Sequence, residues 1–149
     1  MRLQADDVAT MLGLSPLQGE GGRWGQTWLD EHSSAIYFLL APGDFSALHK
    51  LPSTEVYHVY AGDPMELAML HPDGSWQTVV LGPDLAAGQR PTFPVPGGTW
   101  QGSCTLGDWT LLGTTMAPPF SVASLELGDP AELRRTHPGA AEVIVRLTR

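Results

Sequence analysis

Charge is scarce in this 149-residue sequence. Asp, Glu, Lys and Arg make up 16% of it, against roughly 25% in an average soluble protein. A surface so short of charge is either uncharged or covered, and a second copy of the chain, giving a homodimer, is the economical cover. Positive charge is the rarer sign: eight Lys and Arg face sixteen Asp and Glu, for a net charge of -8. That balance leaves no surface for neutralising phosphates and argues against DNA or RNA as a partner. A single cysteine, Cys104, rules out an intrachain disulfide and suits a reducing compartment. No stretch approaches the ~18 apolar residues of a membrane span. The opening MRLQADDVATML carries two acids where a signal peptide would be apolar, so a cytoplasmic location and no membrane partner are expected. Internal repeats and low-complexity tracts are also missing.

What is abundant is punctuation. Seventeen glycines and thirteen prolines are spread along the chain, which favours many short strands over a helical bundle. The length suits one domain, residues 1–149, with a core of its own. Apolar or alternating runs at 23–28, 35–40, 44–51, 55–61, 66–70, 76–81, 92–95, 99–105, 109–116 and 122–127 read as strands. Between them lie turn signals such as Pro52-Ser53, Asp73-Gly74 and Pro96-Gly97-Gly98. The pattern predicts an all-β, antiparallel double-sheet barrel. Helices are expected only near the two ends: 5–13, capped by Asp6 with Val8, Met11 and Leu12 inward; 130–135 behind the cap Asp129; and 140–147.

The hairpin between Gly43 and Gly62 carries the chemistry. Side chains alternate along a strand, so Phe45, Ala47, His49 and Leu51 are expected on one face and Glu55, Tyr57 and Val59 on one face of the next strand. His49 on an apolar strand is a ligand, a base, or a core histidine satisfied by one partner. Glu55 facing the same interior needs a partner, because an unpaired buried carboxylate is costly. His58, three residues on, points to the other face unless a bulge turns it in. Tyr37 and Tyr57 could offer phenol groups as acids. Gln101, Trp100 and Glu20 are candidate substrate contacts, Glu20 at the pocket mouth in the loop Gln18-Gly19-Glu20-Gly21-Gly22. That loop is no phosphate cradle, since no Lys follows at the required distance. His71 and His137 fall in turns and read as solvated.

A Gly, then a His after five residues, a Glu, and a Gly six residues beyond it resembles the first motif of the cupin superfamily. Pro96-Gly97-Gly98 followed by Gln101 resembles the second. Of the four usual metal-ligand positions His49 and Glu55 match, while Leu51 and Gln101 stand where the family has histidines. Further pieces in family order include Leu12-Gly13-Leu14, Glu20-Gly21-Gly22, Ser33 to Leu40, Phe45 to His49, Ala61-Gly62-Asp63-Pro64 and Leu81 to Leu85. On these the chain resembles the small single-domain cupin family of unknown function, whose structures resemble the dTDP-sugar epimerase type. It departs from that family's pattern at Gly19, Gly25-Gln26, Thr54 and Tyr57. The resemblance implies a double-stranded β-helix, or jelly-roll barrel, with short terminal helices, and a dimer. It also implies a metal set of His49, Glu55 and Gln101 holding one divalent ion (Zn, Ni, Mn or Fe). Two functions fit. One is an epimerase or isomerase acting on a small polar, sugar-like molecule through His49 and Glu55, with or without the metal. The other is a binding or sensing barrel without turnover. An oxygenase would want three strong ligands.

Overall fold

All but the last of the apolar runs between turn signals form strands, and the strands stack into two antiparallel sheets with their apolar faces together. The computed structural model describes residues 1–149. A six-stranded sheet holds β1 (Ser15–Pro16), β2 (Arg23–Leu29), β3 (Ser34–Leu40), β10 (Thr110–Met116), β5 (Glu55–Gly62) and β8 (Thr92–Val95), in that order. The facing five-stranded sheet runs β11 (Glu126–Leu127), β4 (Ser46–Lys50), β9 (Trp100–Thr105), β6 (Met65–Leu70) and β7 (Trp76–Leu81). Phe38, Leu40, Met65, Leu67, Leu81 and Leu112 fill one end of the space between the sheets. Fully burying each such side chain is worth ~1.5–3 kcal/mol.

Helices lie at the two ends of the chain, apart from short 3-10 turns. Helix α1 (Ala5–Leu12) sets Val8 and Ala9 against Leu39 and Trp109, on the outside of the larger sheet. Gly13 ends it in the left-handed conformation. The cap differs from expectation: Gln4 and Asp7 form a reciprocal capping box, while Asp6 pairs with Arg23, and Met11 is exposed. Helices α2 (Pro130–Thr136) and α3 (Ala141–Arg146) pack Leu133, Ile144 and the following Leu147 onto Leu48 and Leu70, covering the outside of the smaller sheet.

Two other expectations are corrected. Residues 122–127 are not one strand but a 3-10 turn followed by the two-residue β11. His137 is not solvated. It is buried against the β6–β7 turn, with Nε2 2.6 Å from the His71 carbonyl and Nδ1 2.8 Å from the Thr136 hydroxyl. A turn signal in sequence says nothing about what α2 folds back against.

Candidate functional site

A β-bulge builds the site. β4 meets β9 at Ser46 opposite Ser103 and again at His49 opposite Gln101, three steps on one strand against two on the other. The extra residue lets Ser46 and His49 both face the interior, and it turns Phe45 outward beneath the Arg149 guanidinium. The bulge leaves backbone groups off the ladder, and each finds a partner. Ala47 N–H donates to the Glu20 carbonyl at 2.8 Å and Leu48 N–H to the Leu147 carbonyl at 2.8 Å; the Leu48 carbonyl accepts from Gly128 N–H at 2.9 Å. The Ala47 carbonyl takes the ring of His49, Nδ1 to oxygen 2.7 Å. A carbonyl only accepts, so Nδ1 carries the proton and Nε2 is the nitrogen presented to the cavity.

Facing Nε2 is Glu20. Its Oε1 lies 3.6 Å away, an ion-pair distance and too long for a hydrogen bond, and its Oε2 accepts from the Ser46 hydroxyl at 2.6 Å. Both side chains are buried. On the other wall, β5 brings Glu55 inward opposite Val95 and Met116. Desolvation raises the Glu55 carboxyl from an ordinary 4.5 to about 7. The Glu20 charge adds to the rise, while His49 and the hydroxyls of Thr114 and Tyr57 oppose it. Burial, with Glu55 and Glu20 nearby, keeps the Tyr57 phenol well above its usual range, so it stays protonated and donates to Gln101 Oε1. Ser103, inward on β9, has a buried hydroxyl with no partner.

The cavity among these groups is about 20 Å³, lined by Glu20, His49, Glu55, Tyr57 and Thr114 with Leu17, Ile36, Phe38, Leu51 and Phe120. That is room for one water. Of the lining residues only Ile36 and Phe120 are not buried, which places the solvent side there.

His49 and Glu55 therefore share one lining, and Gln101 joins it through Tyr57. The direct partner of His49 is Glu20, not Glu55. His58 lies on the outer face, Nε2 2.9 Å from the Thr115 hydroxyl and stacked on Tyr60. Two candidates are corrected. Tyr37 points out of the barrel, edge-on to Tyr60 beside Leu12 and Leu111, and cannot serve as an acid in this cavity. Trp100 packs on the helix side of the smaller sheet with Lys50 Nζ 4.7 Å from its ring centre. Its neighbour Gln101 faces inward, so alternation sends Trp100 outward. Ser46 and Thr114 belong to the site and were not singled out from sequence. Glu20 was placed only at the mouth. Its signal was a carboxylate among glycines: Gly21 (φ 96°) has no space for a Cβ, which would lie 2.3 Å from the Phe45 carbonyl oxygen.

The donor set does not fit a divalent transition metal. No three His, Cys, Asp or Glu groups converge to hold one. Leu51 lines the cavity where a second imidazole would be needed. The Gln101 oxygen is already taken by Tyr57, and an amide is in any case a weaker ligand than imidazole.

The family described as Cupin superfamily (DUF985) matches residues 6–128. The chain belongs to this cupin family. No curated protein matches it. A Shewanella oneidensis protein of known crystal structure is similar over 99% of both chains, with 34% identity and a TM-score of 0.93. A hypothetical protein from Leishmania major is similar over 98% of this chain and 99% of its own, at 24% identity and TM-score 0.90. Oxalate decarboxylase from Lactobacillus farciminis, solved as a formate complex, shares the fold alone. It is 14% identical with TM-score 0.61, and the match covers 93% of this cupin but 43% of the decarboxylase. The double-stranded β-helix and the short terminal helices are those of a small cupin.

Proposed function

We propose that this cupin is an epimerase or isomerase acting on a small polar, sugar-like hydroxy-carbonyl molecule, with His49 and Glu55 as the proton-exchanging pair. The observation that carries the reading is the pairing of an imidazole that presents Nε2 with a carboxyl raised to about 7, on opposite sheets of one cavity. A group with that affinity can both hold and release a proton near neutrality. One member of the pair takes the proton from the carbon next to the carbonyl, and the electron pair of the C–H bond moves onto the carbonyl oxygen. For epimerisation the other member returns a proton to the opposite side of that carbon and the carbonyl reforms. For isomerisation the proton goes to the former carbonyl carbon, the hydroxyl proton of the enediolate passes to the first oxygen, and the new carbonyl forms at the neighbouring carbon. Nδ1–H on the Ala47 carbonyl fixes the imidazole ring during the exchange.

With the side chains as placed, the cavity has room for only one water, so a substrate enters by moving the solvent-side wall, where Phe120 is the one residue outside the strands. This residue lies beyond β10, held by an N–H bond of 2.7 Å to the Ser34 hydroxyl and an edge contact with Trp24. The second reading, binding without turnover, draws on Leu51 and Gln101 standing where the family has histidines. A thermal-shift screen of small hydroxy-aldehydes and ketones tests the site. A ligand at 100 times its dissociation constant adds ~2.7 kcal/mol of stability. His49→Ala should abolish that gain while melting close to wild type. Gain of equal size in wild type and His49→Ala would place the ligand elsewhere.

A further inference from the structure

The loop that carries Glu20 is fastened from outside the cavity by one side chain. Arg149 Nη1 donates to the Glu20 carbonyl at 2.6 Å, and Nη2 donates to Asp44 Oδ1 at 2.8 Å and to the Phe45 carbonyl at 3.0 Å. The guanidinium also lies over the Phe45 ring, 4.1 Å from its centre. Asp44 closes the clasp, its other oxygen accepting from Gly22 N–H at 2.8 Å. The Glu20 carbonyl thus takes two donors, Arg149 from one side and Ala47 N–H at 2.8 Å from the other. A Cβ on Gly21 would come within 2.3 Å of Arg149 Nη2, so the close approach of loop and guanidinium depends on that glycine. One step inward along the same residue, the Glu20 carboxylate meets Ser46 and His49.

We propose that Arg149 is a positioning residue for the cavity: its guanidinium fork fixes the Glu20 main chain and thereby holds the Glu20 carboxylate against Ser46 and His49. The fork matters because the three acceptors are divided between Nη1 and Nη2, a spread that an ammonium with all its donors on one atom matches less well. Arg149 is half-exposed and touches no cavity-lining atom except through this loop. It acts on the site by geometry alone. The inference concerns the same cavity as the proposed proton exchange, yet its test needs no substrate, so either can fail without the other.

The test combines amide hydrogen exchange with the ¹⁵N signals of the His49 ring, in wild type, Arg149→Ala, Arg149→Lys and Glu20→Gln. In Arg149→Ala the amides of Ala47 and Gly21 should exchange about tenfold faster, the worth of one charge-assisted hydrogen bond. The amides of β6 should keep their wild-type rates, and the His49 ring signals should move toward those of Glu20→Gln. Arg149→Lys should fall between wild type and alanine. Uniform acceleration that includes β6 would make Arg149 a general stabiliser and overturn the proposal. Unmoved His49 signals in Arg149→Ala, despite a loosened loop, would overturn it too, as would a lysine variant indistinguishable from wild type. Asp44→Asn, which weakens the same clasp from the other end, provides the comparison if Arg149→Ala does not fold.

Discussion

Replacing Glu55 by Gln should remove a pH dependence of stability that this one carboxyl imposes. Burial raises its pKa from 4.5 to about 7 in the folded chain. Between those values the folded state holds a proton that the unfolded state has lost, so stability falls as pH rises through that window and levels off above it. A shift of this size corresponds to about 3 kcal/mol at 1.36 kcal/mol per unit. Glutamine keeps the shape and cannot ionise. The assay is urea unfolding of wild type and Glu55→Gln at intervals from pH 4.5 to 8, taking the difference in unfolding free energy at each pH so that titrations common to both cancel. The wild type should lose about 3 kcal/mol relative to the variant as pH rises from 4.5 to 8, most of it below pH 7 and the last ~0.4 kcal/mol between 7 and 8, as the folded carboxyl finishes losing its proton. A difference that stays flat would mean that Glu55 is solvated or firmly paired as a carboxylate, and the tuning argument would fail.

Three further outcomes follow from the structure. Elemental analysis of the purified protein should find well under one transition-metal ion per chain, while Leu51→His with Gln101→His, which adds two imidazoles beside His49, should retain close to one; about one ion per chain in the wild type would show that the native donors suffice. A homodimer is expected from the low charge of the chain, closing on the outer face of the larger sheet. There Trp28 and Tyr60 are exposed, and the strands carry only Arg23 and the inward Glu55 as charges. Light scattering at micromolar concentration should give twice the chain mass and Tyr60→Asp the monomer; a monomeric wild type would contradict this. Phe120→Ala should open the cavity and speed ligand association without changing which ligands bind, and an unchanged association rate would place the entrance elsewhere.

Much of this was legible in the chain because period-2 alternation and turn residues are local signals. The strands Ser46–Lys50 and Glu55–Gly62, the Asp73-Gly74 turn and the terminal helices needed nothing beyond neighbouring residues. The hairpin expected between those two strands does not form: β4 and β5 lie in opposite sheets, and the Pro52-Ser53 turn carries the chain from one sheet to the other. The bulge between Ser46 and His49 also needed more than neighbouring residues. Strict alternation put Phe45 and Ala47 on the inner face with His49, whereas the extra residue opposite β9 sends Phe45 outward and brings Ser46 in. Bulges depend on the partner strand, here on Gln101 and Ser103, which are more than fifty positions away. Glu20 was hidden for a similar reason. A glycine-flanked acid reads as a solvated loop until the Ala47 amide and Arg149, distant in sequence, pull its backbone against the barrel. Tyr37 failed on orientation, since a strand that is apolar on both faces does not reveal which aromatic looks inward.

Proton exchange between the His49–Glu55 pair and a carbon acid bound between them is the chemistry proposed for this cavity. It is tested most directly by incubating the protein in D₂O with small hydroxy-aldehydes and hydroxy-ketones and following the C–H signal next to the carbonyl by proton NMR. Loss of that signal catalysed by wild type, and abolished by His49→Ala and by Glu55→Gln with the fold intact, is the predicted result. A compound that binds in the cavity, shown by its protection of the Ala47 amide from exchange, yet keeps its C–H signal at the uncatalysed rate would contradict it and leave a binding barrel without turnover.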